Sequence, residues 1–455
     1  MKILLVSHTF LPKYMGGTEV CTFEAAKELQ KNGHTVNIVC TDPLSVEDPY
    51  TVTTSDYHGI PVHTIHKNVM ELKQYDETYN DKKINPVFTT LLEQLKPDIV
   101  HFHHIMHLSL DCFQIVKAKN IPQILTLHDF WFQTPLFDRV FKDGTLYKDY
   151  SFENEIKILV NMLNAGSVAY TPADPKFFLK SKNKTKYIYN VLKKIYSRIV
   201  AKAIENHRFY KYSALVHARN MEMRKALKTV DIVIFPTLFL FQELVNWNFS
   251  AKKILFRPDP INTSHFKKFA ITPSKKLRFA FIGSIIPSKG VDVLVQAWKS
   301  LAPKTAELHI YGNLETDPKY GSKIKKLSEG CRTIEFKGTF AANEVARVYE
   351  TFDVIVIPSR WFENVPLVLR NAYIGKQPVI GTDLGSLSET IVDGKTGFLF
   401  KNEDSADLAE KMKKFIDNPE MIKDMSHNFP EMDSVEGQMR EMTGIYKKLQ
   451  KEYHD

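Results

Sequence analysis

The sequence predicts an α/β protein made of two parallel-sheet domains that face one another across a cleft. Three observations carry that expectation. Short β-branched runs alternate with helical patterns along the 455 residues, which is how βαβ units are written. The chain is also too long for one ordinary core, so two domains of about 200 residues follow. Finally, each half opens on a strand that runs into a glycine-bearing turn and a helix, first around Gly16 and Gly17 and again from Gly283 to Gly290.

The elements follow in order. The first half supplies strand patterns at 3–6, 36–39, 99–102, 124–127 and 232–235, and the second half at 278–282, 307–311, 333–336, 354–357 and 378–381. The series lapses over 256–273, where Pro258, Pro260 and Pro273 stand, and the interdomain linker is expected there. This gives a Rossmann-like domain over 1–262, a second over 263–432, and a terminal helix in 433–455 crossing back to the first domain. Residues from about 134 to 221 lack β patterning and are expected to form a mainly helical insertion.

Composition narrows the class. A hydrophobic share of 44% and a charged share of 25% are those of a soluble globular protein. No run reaches the ~18 apolar residues of a membrane span, and the opening strand is too short for a secretory leader. The four cysteines, Cys21, Cys40, Cys112 and Cys331, have neither zinc-ligand nor disulfide-framework spacing. A cytoplasmic protein is expected. The net charge of +9 is concentrated between Lys180 and Tyr212, where ten basic residues face one acid, Glu205. Apolar pairs recur there every four residues with tyrosines interleaved. An anionic membrane surface is the partner this segment would suit, making the protein peripheral on the inner face. The plainer reading is a packed helix with a solvated lysine face. Nothing resembles a nucleic-acid reader.

Three motifs carry chemistry. Gly16-Gly17 at a helix N-terminus lets backbone N–H groups approach a phosphate. Lys289 stands at the mouth of the second strand-to-helix turn, where an ammonium can neutralise a diphosphate. The run from Pro358 through Ala372 follows a strand, so it lies at the carboxyl edge of a parallel sheet, where such sheets bind ligands. Within it Pro366 suits a first helical turn, leaving the N–H groups of Leu367 and Val368 as anion donors. Glu363, set among apolar residues, would be an expensive carboxylate for structure alone.

Together these motifs, with the later Gly381-Thr382-Asp383-Leu384-Gly385 and Asp393-Gly394-Lys395-Thr396-Gly397 runs, resemble the retaining GT-B glycosyltransferases of family 4, the glycosyl transferases group 1. The resemblance runs through nearly the whole chain and is weakest in the insertion. It implies a metal-independent enzyme without cofactor that moves a hexosyl residue from a nucleotide-diphosphate sugar to a hydroxyl of a glycan or lipid-linked acceptor, as in surface polysaccharide synthesis. By the same resemblance, Gly16 and Gly17, Lys289, Leu367 and Val368 would hold the donor phosphates. Glu363 and His128 would meet the transferred sugar, and Gly338, Thr339, Phe340 and Asn371 the base and ribose.

Two positions depart from the family. Ser284 stands where an arginine is common, and Asn371 replaces the second glutamate of an E-x7-E pair. An amide offers one acceptor oxygen where a carboxylate offers two. Arg257 or Arg360 are the candidates to replace the missing cation. A non-catalytic nucleotide-sugar or glycan binder and a sugar-nucleotide epimerase are the alternative readings on this fold. The histidines His101, His103, His104 and His107 follow one strand and His128 the next. No complementary carboxylate or cysteine spacing accompanies them, so no metal site is expected.

Overall fold

The computed structural model of the chain describes residues 1–135, 139–140, 146, 154–159, 212–266, 269–364 and 366–454. Two sheets organise them. The first contains β1 (Lys2–Val6), β2 (Thr35–Asp42), β3 (Val52–Tyr57), β4 (Ile60–His66), β5 (Ile99–Phe102), β6 (Gln123–Thr126), β7 (Ile232–Phe235) and β8 (Ile254–Phe256), in the order β3-β4-β2-β1-β5-β6-β7-β8. The second contains β9 (Leu277–Ile282), β10 (Ala306–Tyr311), β11 (Ile334–Gly338), β12 (Val354–Ile357), β13 (Val379–Thr382) and β14 (Gly397–Phe400), in the order β11-β10-β9-β12-β13-β14. All pairings are parallel except β3 with β4. The fold is two Rossmann-like units, as the alternation predicts.

Burial explains why the central strands were legible. β5, β6, β7 and β12 are buried at every position, so they read as continuous apolar runs with helices on both faces. Of the strands not anticipated, β4 is mostly buried and the others are of other kinds. β3 is a polar edge strand with nearly every residue exposed. It joins β4 through His58 and Gly59, at φ 55° and 84°, a two-residue hairpin turn whose Gly59 N–H donates to Asp56 Oδ1 at 2.8 Å. β8 has three residues and β14 opens on Gly397.

The strand order reverses beside β1 in the first sheet and beside β9 in the second, where ligands bind in open α/β sheets. Loops after β1, β5 and β6 gather at one edge, and loops after β9 and β12 at the other. The helix Val435–His454 lies on the first unit. Its Val435, Met439, Met442, Tyr446 and Leu449 share a core with Ile3, Leu5, Ile38 and Ile99. Residues 154–159 and 212–229 are helical, whereas 180–211, the basic stretch, lie outside the described residues. Among the described residues no helix is long and apolar enough to cross a membrane.

Candidate functional site

The second sheet builds one half of the site. After β9 the chain makes a short 3-10 turn, Pro287–Lys289, and then enters the helix Val291–Leu301 through Gly290. Gly290 sits at φ +65°, and a Cβ there would lie 1.9 Å from the Pro358 carbonyl oxygen. Only glycine lets the two loops press together. That contact sets Lys289 against the loop after β12, where its Nζ donates to Glu363 Oε1 at 2.6 Å and lies 4.4 Å from the Trp361 ring centroid. Ser359 Oγ and Trp361 Nε1 donate to the same oxygen, each at 2.6 Å. Glu363 is buried, and three donors on one oxygen hold its carboxylate in place. Its Oε2 takes no hydrogen bond among the described residues and is left as an acceptor.

The helix Leu367–Ile374 starts directly after Pro366. Leu367 and Val368 occupy its first two positions, whose N–H groups have no partner inside the helix. Gly338 closes β11 at φ +70° with open space where a Cβ would be. Thr339 and Phe340 follow, with Phe340 packed edge-on against Tyr311. Asn371 lies beside the hydroxyl of buried Tyr349, which donates to the Val368 carbonyl at 2.9 Å. Ser284 is exposed. Both arginine candidates for the missing cation are paired with carboxylates. Arg360 is held by Asp292 and Glu403 at 3.1 and 2.9 Å. Arg257 makes a two-pronged pair with Glu441 of the terminal helix. Both guanidinium groups are spent on scaffold carboxylates, so Lys289 is the cation that the second sheet's loops bring to Glu363.

The first sheet builds the other half. Gly16 caps the helix Gly17–Lys31 without a side-chain bond, and a Cβ on it would approach Glu19 Oε2 to 2.6 Å, while one on Gly17 would meet nothing within 4 Å. Glu19 is buried, accepts from Thr9 Oγ1, and lies 3.4 Å from His8 Nε2. The histidines of the β5 edge are mostly neutral hydrogen-bonding groups. Burial pushes His101 and His107 down to about 3 and holds His8 and His103 well below the usual imidazole range. His101 is fixed by Tyr446 Oη and Thr126 Oγ1 at 2.6 and 2.8 Å. His104 accepts from the Met106 N–H on Nδ1 and faces Asp129 through Nε2 at 3.1 Å.

His128 behaves differently. Burial opposes its charge, yet Asp259, whose Oδ1 lies 3.2 Å from His128 Nδ1, together with Asp129 and Glu19 outweighs burial and raises its pKa. The other ring nitrogen, Nε2, is 3.2 Å from His103 Nδ1. Both nitrogens therefore have protein partners. Asp259 and Asn364, which donates to the His128 carbonyl at 2.9 Å, are the site residues that sequence reasoning missed, and His103 was weighed there only as a metal ligand. Asp259 stood in the sequence as a linker residue between Pro258 and Pro260, with no pattern to mark it. The one trio of metal-competent side chains among the described residues is Glu307, His309 and Glu335, on β10 and β11. Both of its carboxylates are already paired, with Lys276 and Lys337.

Comparison with known proteins adds the family. Residues 263–432 match the model described as glycosyl transferases group 1, and residues 15–162 match that of glycosyltransferase family 4. An uncharacterised glycosyltransferase of Methanocaldococcus jannaschii is 31% identical over 150 residues, 32% of this chain and 40% of that protein. The capsular polysaccharide biosynthesis glycosyltransferase CapM of Staphylococcus aureus is 28% identical over 32% of this chain and 39% of its own length. The chain thus spans about two fifths of these relatives in the matched segments. The solved structure of Anabaena HepE in complex with UDP and glucose superposes with a TM-score of 0.59 at 11% identity, covering 100% of both chains.

Proposed function

Because the chain belongs to the group 1 and family 4 glycosyltransferases on the GT-B fold, we propose that it transfers a hexosyl residue from a nucleotide-diphosphate sugar to an acceptor hydroxyl, with retention. The single observation that supports this best is the Lys289–Glu363 pair at the carboxyl edge of the second sheet. An ammonium beside a carboxylate with a free oxygen suits a diphosphate joined to a polyhydroxyl ring. The diphosphate takes Lys289, and the sugar hydroxyls donate to Glu363.

In the reaction the bond from the anomeric carbon to the diphosphate oxygen breaks as the acceptor oxygen bonds to that carbon. The sugar becomes cationic while negative charge grows on the departing diphosphate. Lys289 and the first N–H groups of the helix Leu367–Ile374 are preorganised donors for that growing charge. The leaving diphosphate accepts the acceptor's proton, so no second catalytic carboxylate is required. His128, its ring nitrogens held by Asp259 and His103, stands beside the sugar from the first domain. The charge is met by lysine and backbone, so the reaction proceeds without a metal ion. The UDP complex of the Anabaena neighbour makes a uridine donor the first to try, and the capsular relative supports a glycan or lipid-linked acceptor.

A thermal-shift screen of UDP-, GDP- and ADP-sugars tests the reading, because a ligand that binds only the native state raises the melting temperature. At least one donor class is expected to raise it by several degrees at millimolar concentration. No shift with any of them would remove the nucleotide-sugar assignment.

A further inference from the structure

The loop that carries Glu363 is anchored on the other domain by its two neighbours in sequence. Phe362 packs against Phe239 and Phe130 of the first domain, with ring centroids at 5.1 and 6.1 Å. Asn364 makes two hydrogen bonds there. Its Oδ1 accepts from Thr237 Oγ1 at 2.8 Å, and its Nδ2 donates to the backbone carbonyl of His128 at 2.9 Å. The amide's orientation is settled by chemistry, because a carbonyl oxygen can only accept. Thr237 in turn caps the helix Leu238–Asn246, its Oγ1 accepting from Leu240 N–H at 3.2 Å.

A second contact reinforces the same place. Glu389 of the second domain accepts from the Leu238 and Phe239 N–H groups at 3.0 and 2.9 Å. A carboxylate from one domain thus sits at the helix N-terminus of the other, where the dipole favours an anion. Asn364 and Glu389 together clasp the turn 237–239.

We propose that Asn364 is a positioning residue that sets Glu363 and His128 in one register across the cleft. The inference rests on the transferase reading above for its kinetic consequence, but not for the clasp itself. Residue 363 faces the donor's sugar, and residue 364 holds the carbonyl of the histidine that meets the same sugar from the opposite domain. Loss of the amide's donor leaves each group in its own domain and removes their common reference. A misplacement of about 1 Å at a reacting centre can lower a rate on the order of 10²-fold.

The test uses the full chain with Asn364→Asp, Asn364→Ala and Thr237→Val. Aspartate keeps the Thr237 bond, yet it sets an acceptor against the His128 carbonyl. Asn364→Asp is therefore expected to behave like Asn364→Ala, with kcat down about tenfold or more and nucleoside diphosphate affinity within about twofold of wild type. Amide exchange at Leu238 and Phe239 is expected to quicken in both Asn364 variants, and at Leu240 most in Thr237→Val, which loses the capping acceptor itself. Exchange reads the clasp without any turnover. Unchanged exchange and unchanged kcat in Asn364→Asp would overturn the proposal. Faster exchange in a protein that binds no nucleotide would keep the clasp and remove the transferase reading instead.

Discussion

The two halves of the cleft solve different problems. The second-sheet half concentrates charge. Lys289, Ser359 and Trp361 converge on a single Glu363 oxygen, and the surrounding arginines are tied to scaffold carboxylates. The first-sheet half suppresses charge. Burial lowers the pKa of His8, His101, His103 and His107, and His128 alone is raised, through Asp259. On the proposed reading a diphosphate would take the first arrangement and uncharged hydroxyls the second. That would make the contrast a division of labour between donor charge and acceptor hydrogen bonding.

The largest expected effect lies in the charged half. Lys289→Ala and Glu363→Ala are each expected to lower turnover by ~10²-fold or more with the fold intact. Turnover within threefold of wild type in either, measured beside an unchanged melting curve, would dissolve the contrast. Next comes His128, the histidine whose pKa is raised. A group with a raised folded pKa is protonated up to that pKa, so activity that uses charged His128 falls as pH rises through it. Asp259→Asn removes the nearest carboxylate that opposes burial and is expected to move this alkaline limb to lower pH. An unmoved limb in the pH–rate profile would place the titrating group elsewhere.

The neutral histidines make an opposite, smaller prediction for stability. His101 and His107, at about 3 in the fold, stay neutral while the unfolded chain protonates below ~6.5. Their contribution is complete above that value and is lost as pH falls toward 3. At pH 5 each has lost on the order of 2 kcal/mol. The melting temperature is therefore expected to drop between pH 7.5 and 5, which calorimetry reads directly; a flat or rising profile would contradict the neutral assignment. The smallest effect is none: activity is expected to survive EDTA. Its loss, with recovery on adding Mg²⁺ or Zn²⁺, would move part of the donor charge from lysine to metal.

The same contrast explains what was legible. Glycine turns, buried parallel strands and the Pro358–Ala372 run are local patterns, and Lys289 and Glu363 each stand inside one. The first half is assembled over long distances. His128 meets Asp259 from the linker, and His101 is held by Tyr446, 345 residues further along. No spacing encodes such contacts, so Asp259 and Asn364 escaped notice, and nothing marked the carboxylates that pair with Arg257 and Arg360. The polar edge strand β3 escaped for a related reason: with almost nothing to bury, it writes no apolar period.

The central claim is that Lys289 takes the diphosphate and Glu363 the sugar. Calorimetric titration of UDP, GDP and ADP into the full wild-type chain, Lys289→Ala and Glu363→Ala tests it most directly. At least one nucleotide is expected to bind wild type, to bind Lys289→Ala about tenfold or more weakly, and to bind Glu363→Ala as well or better, since the ammonium is then released from its 2.6 Å partner. Equal affinity in wild type and Lys289→Ala would contradict the claim.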